Sequence, residues 1–203
     1  MPSSKKRNRD LKRLTDQELM DLVQAGDFSP AAEIYERYSS RIYSFAYRFL
    51  RNSEAAEDIT QEVFIKIMKR AAQFHGGSKL STWLLAITAN SCRDHLRKQE
   101  NRPKAGEDVL IELPAPYELS PERYMERRDA ERRIQEALTV LTPDQREAIL
   151  LSRYQGLSYA EIAQVAGCSE GAVKTRVFRA MEVLKKALTG GAHGGDQCLT
   201  VMP

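Results

Sequence analysis

The sequence predicts an all-α protein of two small helical domains joined by an acidic, proline-containing flexible linker. Helix-start chemistry recurs along the chain, and no segment shows the apolar–polar alternation of a strand. Between residues 101 and 121 the helical period disappears, and Pro103, Pro114, Pro116 and Pro121 fall among acids. The 203 residues are 42% hydrophobic and 29% charged, enough for two packed cores and unlike a disordered chain.

Charge is distributed by segment rather than in total. The net charge is only +3, but residues 5–13 (KKRNRDLKR) are almost all basic. From Ala105 to Glu122 there are acids at Glu107, Asp108, Glu112, Glu118 and Glu122 and no Lys or Arg. The last third is basic again, so two polyanion-binding units flank a segment with a different task. Cys92, Cys168 and Cys198 are far apart, with no CxxC and no nearby histidine pair. That spacing disfavours a zinc site or a disulfide framework and fits a reducing compartment. No apolar run approaches the roughly 18 residues of a membrane span, and the basic N-terminus lacks a signal peptide's apolar stretch. A soluble, cytoplasmic protein without membrane insertion is expected.

The elements follow in order. Thr15 and Glu18 form a capping box, Leu14 and Leu19 are spaced as a hydrophobic staple, and Gly26 ends this first helix. Ser29-Pro30 opens a second helix, with Pro at the first helical position, running to about Arg51. After Asn52-Ser53 a third helix runs to about Gln73. His75-Gly76-Gly77-Ser78 breaks it, and a fourth spans about Ser81 to Arg97. Helical period returns near Arg123. Thr142-Pro143-Asp144-Gln145 starts a helix that Gly156 closes, and Ser158 with Glu161 caps a short helix ending at Ala166-Gly167. Ser169 caps a longer helix to about Leu188, followed by a glycine-rich tail. The resulting division is a basic extension (1–13), a first domain (14–98), a linker (99–128), a second domain (129–188) and a tail (189–203).

Residues 157–188 have helix-turn-helix form, a short capped helix, a glycine turn and a longer basic helix. In the second helix Val173, Val177, Ala180 and Leu184 make one buried stripe. Thr175, Arg179 and Glu182 lie roughly opposite, with Phe178 and Arg176 on the flanks and Lys174 in the first turns. Arg and Lys suit guanine or phosphate, and an exposed Phe suits a thymine methyl. The alternative is a helical hairpin that packs on another protein with its charges solvated. The capping signals, glycine turn and basic outer face together favour DNA.

In the third helix, at 100° per residue, Glu54, Asp58, Gln61, Glu62 and Ile65 share one side, with Ala56, Val63 and Ile67 opposite. The second stripe is core. The first is acidic with one apolar residue, which suits a basic protein partner; the alternative is a solvated face with a stray Ile. A carboxylate metal site would need the Glu-x-x-His arrangement of helical di-metal proteins, and no histidine accompanies these acids. Phe74, His75, Lys79 and Trp83 surround the glycine loop, and Asn90, Arg93, Arg97 and Lys98 follow along one side of the fourth helix. An aromatic and basic rim suits single-stranded DNA, where phosphates are neutralised and unstacked bases held. A lone Trp is more often core than platform, so Trp83 is expected inside.

Three blocks in order resemble the extracytoplasmic-function group of bacterial sigma factors: AEDITQEVFIKIMKRAAQF (56–74), STWLLAITANSCRDHLRK (81–98) and LTPDQREAILLSRYQGLSYAEIAQVAGCSEGAVKTRVFRAMEVLKK (141–186). The resemblance covers residues 14–188. It implies a region-2 helical bundle and a region-4 helix-turn-helix. It also implies core RNA polymerase as partner through the β′ clamp helices and the β subunit, with Asp58, Gln61 and Glu62 on the docking face, where Ile65 shares the same side of the helix. Phe74, His75, Lys79, Asn90, Arg93 and Arg97 would meet the non-template strand of the −10 element and help melt it. Lys174, Thr175, Phe178 and Arg179 fall on the family's contact positions for the double-stranded −35 element, and Arg176, on the flank of the same face, is expected to meet it too. The linker resembles the family connector that enters the polymerase channel otherwise used by RNA. Similar proteins are commonly held inactive by an anti-sigma factor, so one is an expected partner. No catalytic residue, metal or cofactor is expected. A stand-alone helix-turn-helix regulator would leave the acidic face and aromatic loop unexplained, and an enzyme on nucleic acid would need a convergent carboxylate or histidine set that is not visible.

Overall fold

A computed structural model describes residues 11–100 and 132–189. The expectations for residues 1–10, most of the linker and the glycine-rich tail lie outside the described residues. The described residues divide into two compact units, 11–46 with 54–100 and 47–53 with 132–189. Among the described residues there are helices and turns and no strand.

The first helix, α1 (Asp16–Gln24), begins on the expected capping box. Thr15 Oγ1 accepts from the Glu18 N–H at 3.3 Å, and the Glu18 carboxylate accepts from the Thr15 N–H at 2.7 Å. These bonds, the backbone one first, hold the Glu18 carboxyl below its ordinary pKa. At its end Asp27 N–H reaches Leu22 O and Gly26 N–H reaches Val23 O, both at 3.0 Å. That pairing requires the left-handed backbone that Gly26 supplies at φ 87°.

The second helix, α2 (Ala31–Leu50), starts one residue later than the proline position suggests. Pro30 caps it, its carbonyl accepting from Ile34 N–H at 3.0 Å. Arg37 on α2 ties the start of α1 in place. Its guanidinium pairs with Glu33 at 2.7 Å and Asp16 at 3.1 Å, and also donates to the Lys12 carbonyl at 3.1 Å. Tyr38 donates to Asp16, and burial followed by that hydrogen bond raises its phenol pKa far above the ordinary value.

Next come α3 (Ser53–Arg70), a 3₁₀ turn (Ala71–Gln73) and α4 (Leu80–Glu100). Leu19 and Met20 of α1, Ile34 and Ile42 of α2, Val63 and Ile67 of α3, and Leu84, Leu85, Ala89 and Cys92 of α4 are buried. Burying each large aliphatic side chain contributes about 1.5–3 kcal/mol, which fixes the outer faces of α3 and α4.

In the second unit α5 (132–139) precedes α6 (Pro143–Ile149), whose capping box joins Thr142 to Gln145. The helix then widens into a π turn (Leu150–Tyr154), with Gln155 N–H reaching back to Leu150 O at 3.0 Å. Residue types that read as plain helix to Gly156 give no sign of this widening. Two further helices, α7 (Tyr159–Ala166) and α8 (Glu170–Thr189), form the helix-turn-helix. Ser158 and Glu161 make the expected box on α7. Gly167 turns the chain at φ 64°, and Ser169 Oγ accepts from Ala172 N–H at 3.2 Å to start α8.

Candidate nucleic-acid and partner interface

The outer face of α3 has the composition expected of it. Glu54, Asp58, Gln61, Glu62 and Ile65 are all exposed, Ile65 by 55%, while Ala56, Val63 and Ile67 are fully buried on the opposite side. Glu57 joins this acidic face, an addition the five-residue set omits. Glu62 pairs with Lys66 at 2.5 Å, and Lys66 also donates to Ser91 Oγ on α4 at 2.9 Å. Asp58 has no ion-pair partner among the described residues, so its charge is available to a partner. Beside this face the rings of Tyr35 and Phe64 meet with centroids 4.7 Å apart, and Tyr35 is 49% exposed.

The loop after α3 is rooted by its aromatic residues. Phe74 is buried, with Trp83 against it at a centroid distance of 5.5 Å. Phe74 therefore anchors the loop from inside instead of lining its rim, a correction to the expected surface set. Trp83, expected inside, is only half-buried. The rim is His75, Gly76, Gly77 and Lys79, all exposed. Beyond it Asn90 and Arg97 are exposed on α4, with Arg93 half-buried. Arg93 donates to the Asn90 side chain, and Arg97 pairs with Asp94 at 2.6 Å.

Sequence patterning misses the residue that holds this loop. Gln24 on α1 donates through Nε2 to the carbonyls of Ala71 at 3.0 Å and Phe74 at 2.7 Å, so one side-chain amide ties down both ends of the turn leaving α3. No local signal could find it, because both carbonyls are remote in sequence. Gly76 sits at φ 71°, and a Cβ there would come within 2.7 Å of Gln17 Oε1. Glycine serves the backbone conformation here, since the Gln17 side chain could swing aside from a Cβ.

On α8, Val173, Val177, Ala180 and Leu184 are buried, and Lys174, Thr175, Phe178, Arg179 and Glu182 are exposed. Phe178 is 63% exposed. Lys174 and Arg179 have no ion-pair partner among the described residues. The Thr175 hydroxyl donates to Gly171 O at 2.9 Å. Arg176 differs from its neighbours: it is half-buried and pairs with Asp144 of α6 at 2.7 Å.

A helix-turn-helix with unpaired cations on the outer side of its second helix has the form of a DNA-binding module. A family model described as sigma-70 region 2 matches residues 34–102, and one described as sigma-70, region 4 matches residues 131–184. The RNA polymerase sigma-H factor of Pseudomonas aeruginosa is 35% identical over 181 residues, covering 85% of this chain and 93% of the relative. The ECF RNA polymerase sigma-E factor of Escherichia coli is 34% identical over 179 residues, with the same two coverages. Among solved structures, the sigma factor RpoE of Bartonella quintana, crystallised with the anti-sigma factor NepR, superposes with a TM-score of 0.63 at 27% identity. That match covers 79% of this chain and 98% of the other. The chain belongs to the extracytoplasmic-function group of the sigma-70 family of RNA polymerase sigma factors. It is an alternative sigma factor that binds core polymerase and directs promoter-specific initiation, and it is not an enzyme.

Proposed function

We propose that the three surfaces divide the work of initiation. The outer face of α3, with Asp58, Gln61, Glu62 and Ile65, docks on the β′ clamp helices of core polymerase. His75, Lys79, Asn90, Arg93 and Arg97 engage the non-template strand at −10, with Phe74 holding the loop from below. Lys174, Thr175, Phe178 and Arg179 read the −35 duplex. The first domain is residues 14–98 and the second 129–188, the acidic stretch between them serving as the connector. The sigma work takes place in the cytoplasm, where the polymerase is, and no helix among the described residues is long and apolar enough to cross a membrane. An anti-sigma factor is a further partner, by likeness to the relative crystallised with one.

The observation that carries the melting assignment is a basic, glycine-containing loop held at its base by Gln24 and Phe74, with His75 and Lys79 exposed above. A platform for single strands works best when its backbone does not have to be ordered during binding. Gln24→Leu removes both hydrogen bonds while keeping the side chain's bulk. The variant is expected to bind core polymerase normally and to form several-fold fewer open complexes, measured by permanganate reactivity of unpaired −10 thymines. Lys79→Ala is expected to lower the same signal. Equal footprints from both variants and the parent would make the loop a connector only.

A further inference from the structure

Arg176 sits among the residues assigned to −35 reading, yet its geometry is unlike theirs. Its side chain is 30% exposed, and one Nη lies 2.7 Å from Asp144 Oδ2. The other Nη lies 3.5 Å from Cys168 Sγ in the turn before α8. One guanidinium thus touches the first turn of α6 and the turn between α7 and α8. At 100° per residue Arg176 falls about 60° from the buried Val173 and about 40° from the buried Ala180, on the flank where α8 passes its neighbours. Among the described residues Arg179, Phe178 and Lys174 make no comparable link to the scaffold.

We propose that Arg176 is a positioning residue for −35 recognition, a brace that fixes how α8 is presented rather than a group that touches DNA; this rests on the DNA-reading assignment of α8. A planar fork suits the task, since its two ends can hold two partners in fixed directions. Asp144 is itself well placed, because an acid in the first turn of α6 is favoured by the helix dipole. The pair is partly exposed, so it adds little to global stability. Its effect lies in direction: bidentate base contacts from a long helix fail with small rotations of that helix.

The brace and a direct phosphate contact predict opposite results for Asp144→Asn. If Arg176 grips phosphate, Asp144 competes for it, and Asp144→Asn leaves affinity unchanged or raises it. If Arg176 is a brace, Asp144→Asn lowers affinity several-fold and flattens discrimination among −35 variants. The measurement uses the full chain bound to core polymerase, on duplexes selected by the parent holoenzyme from a pool randomised at the upstream element. Binding is followed across salt for the parent, Asp144→Asn, Arg176→Ala and the double variant. A brace predicts that the double variant is no worse than Arg176→Ala alone and that Arg176→Ala keeps the parent's salt slope. A phosphate contact predicts a slope smaller by about 0.9 with discrimination intact, and that result overturns the brace. Unchanged affinity and discrimination in both single variants overturns it as well. Failure of the parent to select any sequence would instead sink the DNA-reading assignment on which the brace depends. Thermal unfolding of each variant separates loss of the brace from loss of the fold.

Discussion

Asp58→Arg combined with Glu62→Arg is expected to abolish binding to core RNA polymerase while the protein keeps its helical content. Both side chains leave the outer face of α3, opposite the buried Ala56, Val63 and Ile67, so neither reversal disturbs packing. Against a basic partner each reversal turns an attraction into a repulsion, and like charges juxtaposed at an interface cost several kcal/mol. The loss should be about 100-fold or greater. The two positions are not equivalent. Glu62 already pairs with Lys66, so reversing it places like charges four residues apart and costs the helix about 0.2–0.5 kcal/mol. Asp58 has no such tie, and Asp58→Arg alone is the cleaner test of docking. Retained affinity in the double variant, with intact circular dichroism, would remove the docking assignment from this face.

The next largest effect is expected at Arg179. It is exposed on the outward side of α8, and a guanidinium there can meet guanine O6 and N7 in two parallel hydrogen bonds. Arg179→Ala should cost about 1–3 kcal/mol and relax preference at one base position. Lys185 and Lys186, exposed further along the same helix, provide the control. Their alanine variants should weaken all sequences alike and reduce the salt dependence. Binding across single-base variants of the upstream element decides between these behaviours. A uniform loss in Arg179→Ala would make this part of α8 a backbone anchor.

What could be read from the sequence was whatever depends on near neighbours. The three capping boxes, Thr15 with Glu18, Thr142 with Gln145 and Ser158 with Glu161, are each closed within one helical turn, so residue types at fixed spacing suffice. The buried stripes of α3 and α8 follow from helical period alone. Contacts between elements were not legible. Gln24 reads as an ordinary last-turn residue until Ala71 and Phe74 are brought beside it. Arg176 reads as one more cation on a basic helix until Asp144 approaches from α6. Phe74 belongs by sequence to an aromatic rim, but it is buried, with Trp83 against it. In each case the deciding partner lies on another element, and spacing along one helix carries no record of it.

In-vitro transcription with the full chain and purified core polymerase tests the central claim most directly. The account predicts that core polymerase, silent alone on a supercoiled promoter library, gives transcripts with fixed start sites when this chain is added. Those transcripts should disappear with Asp58→Arg/Glu62→Arg. A chain that binds promoter DNA but yields no transcripts with core polymerase, or that only blocks transcription by another sigma factor, would contradict it.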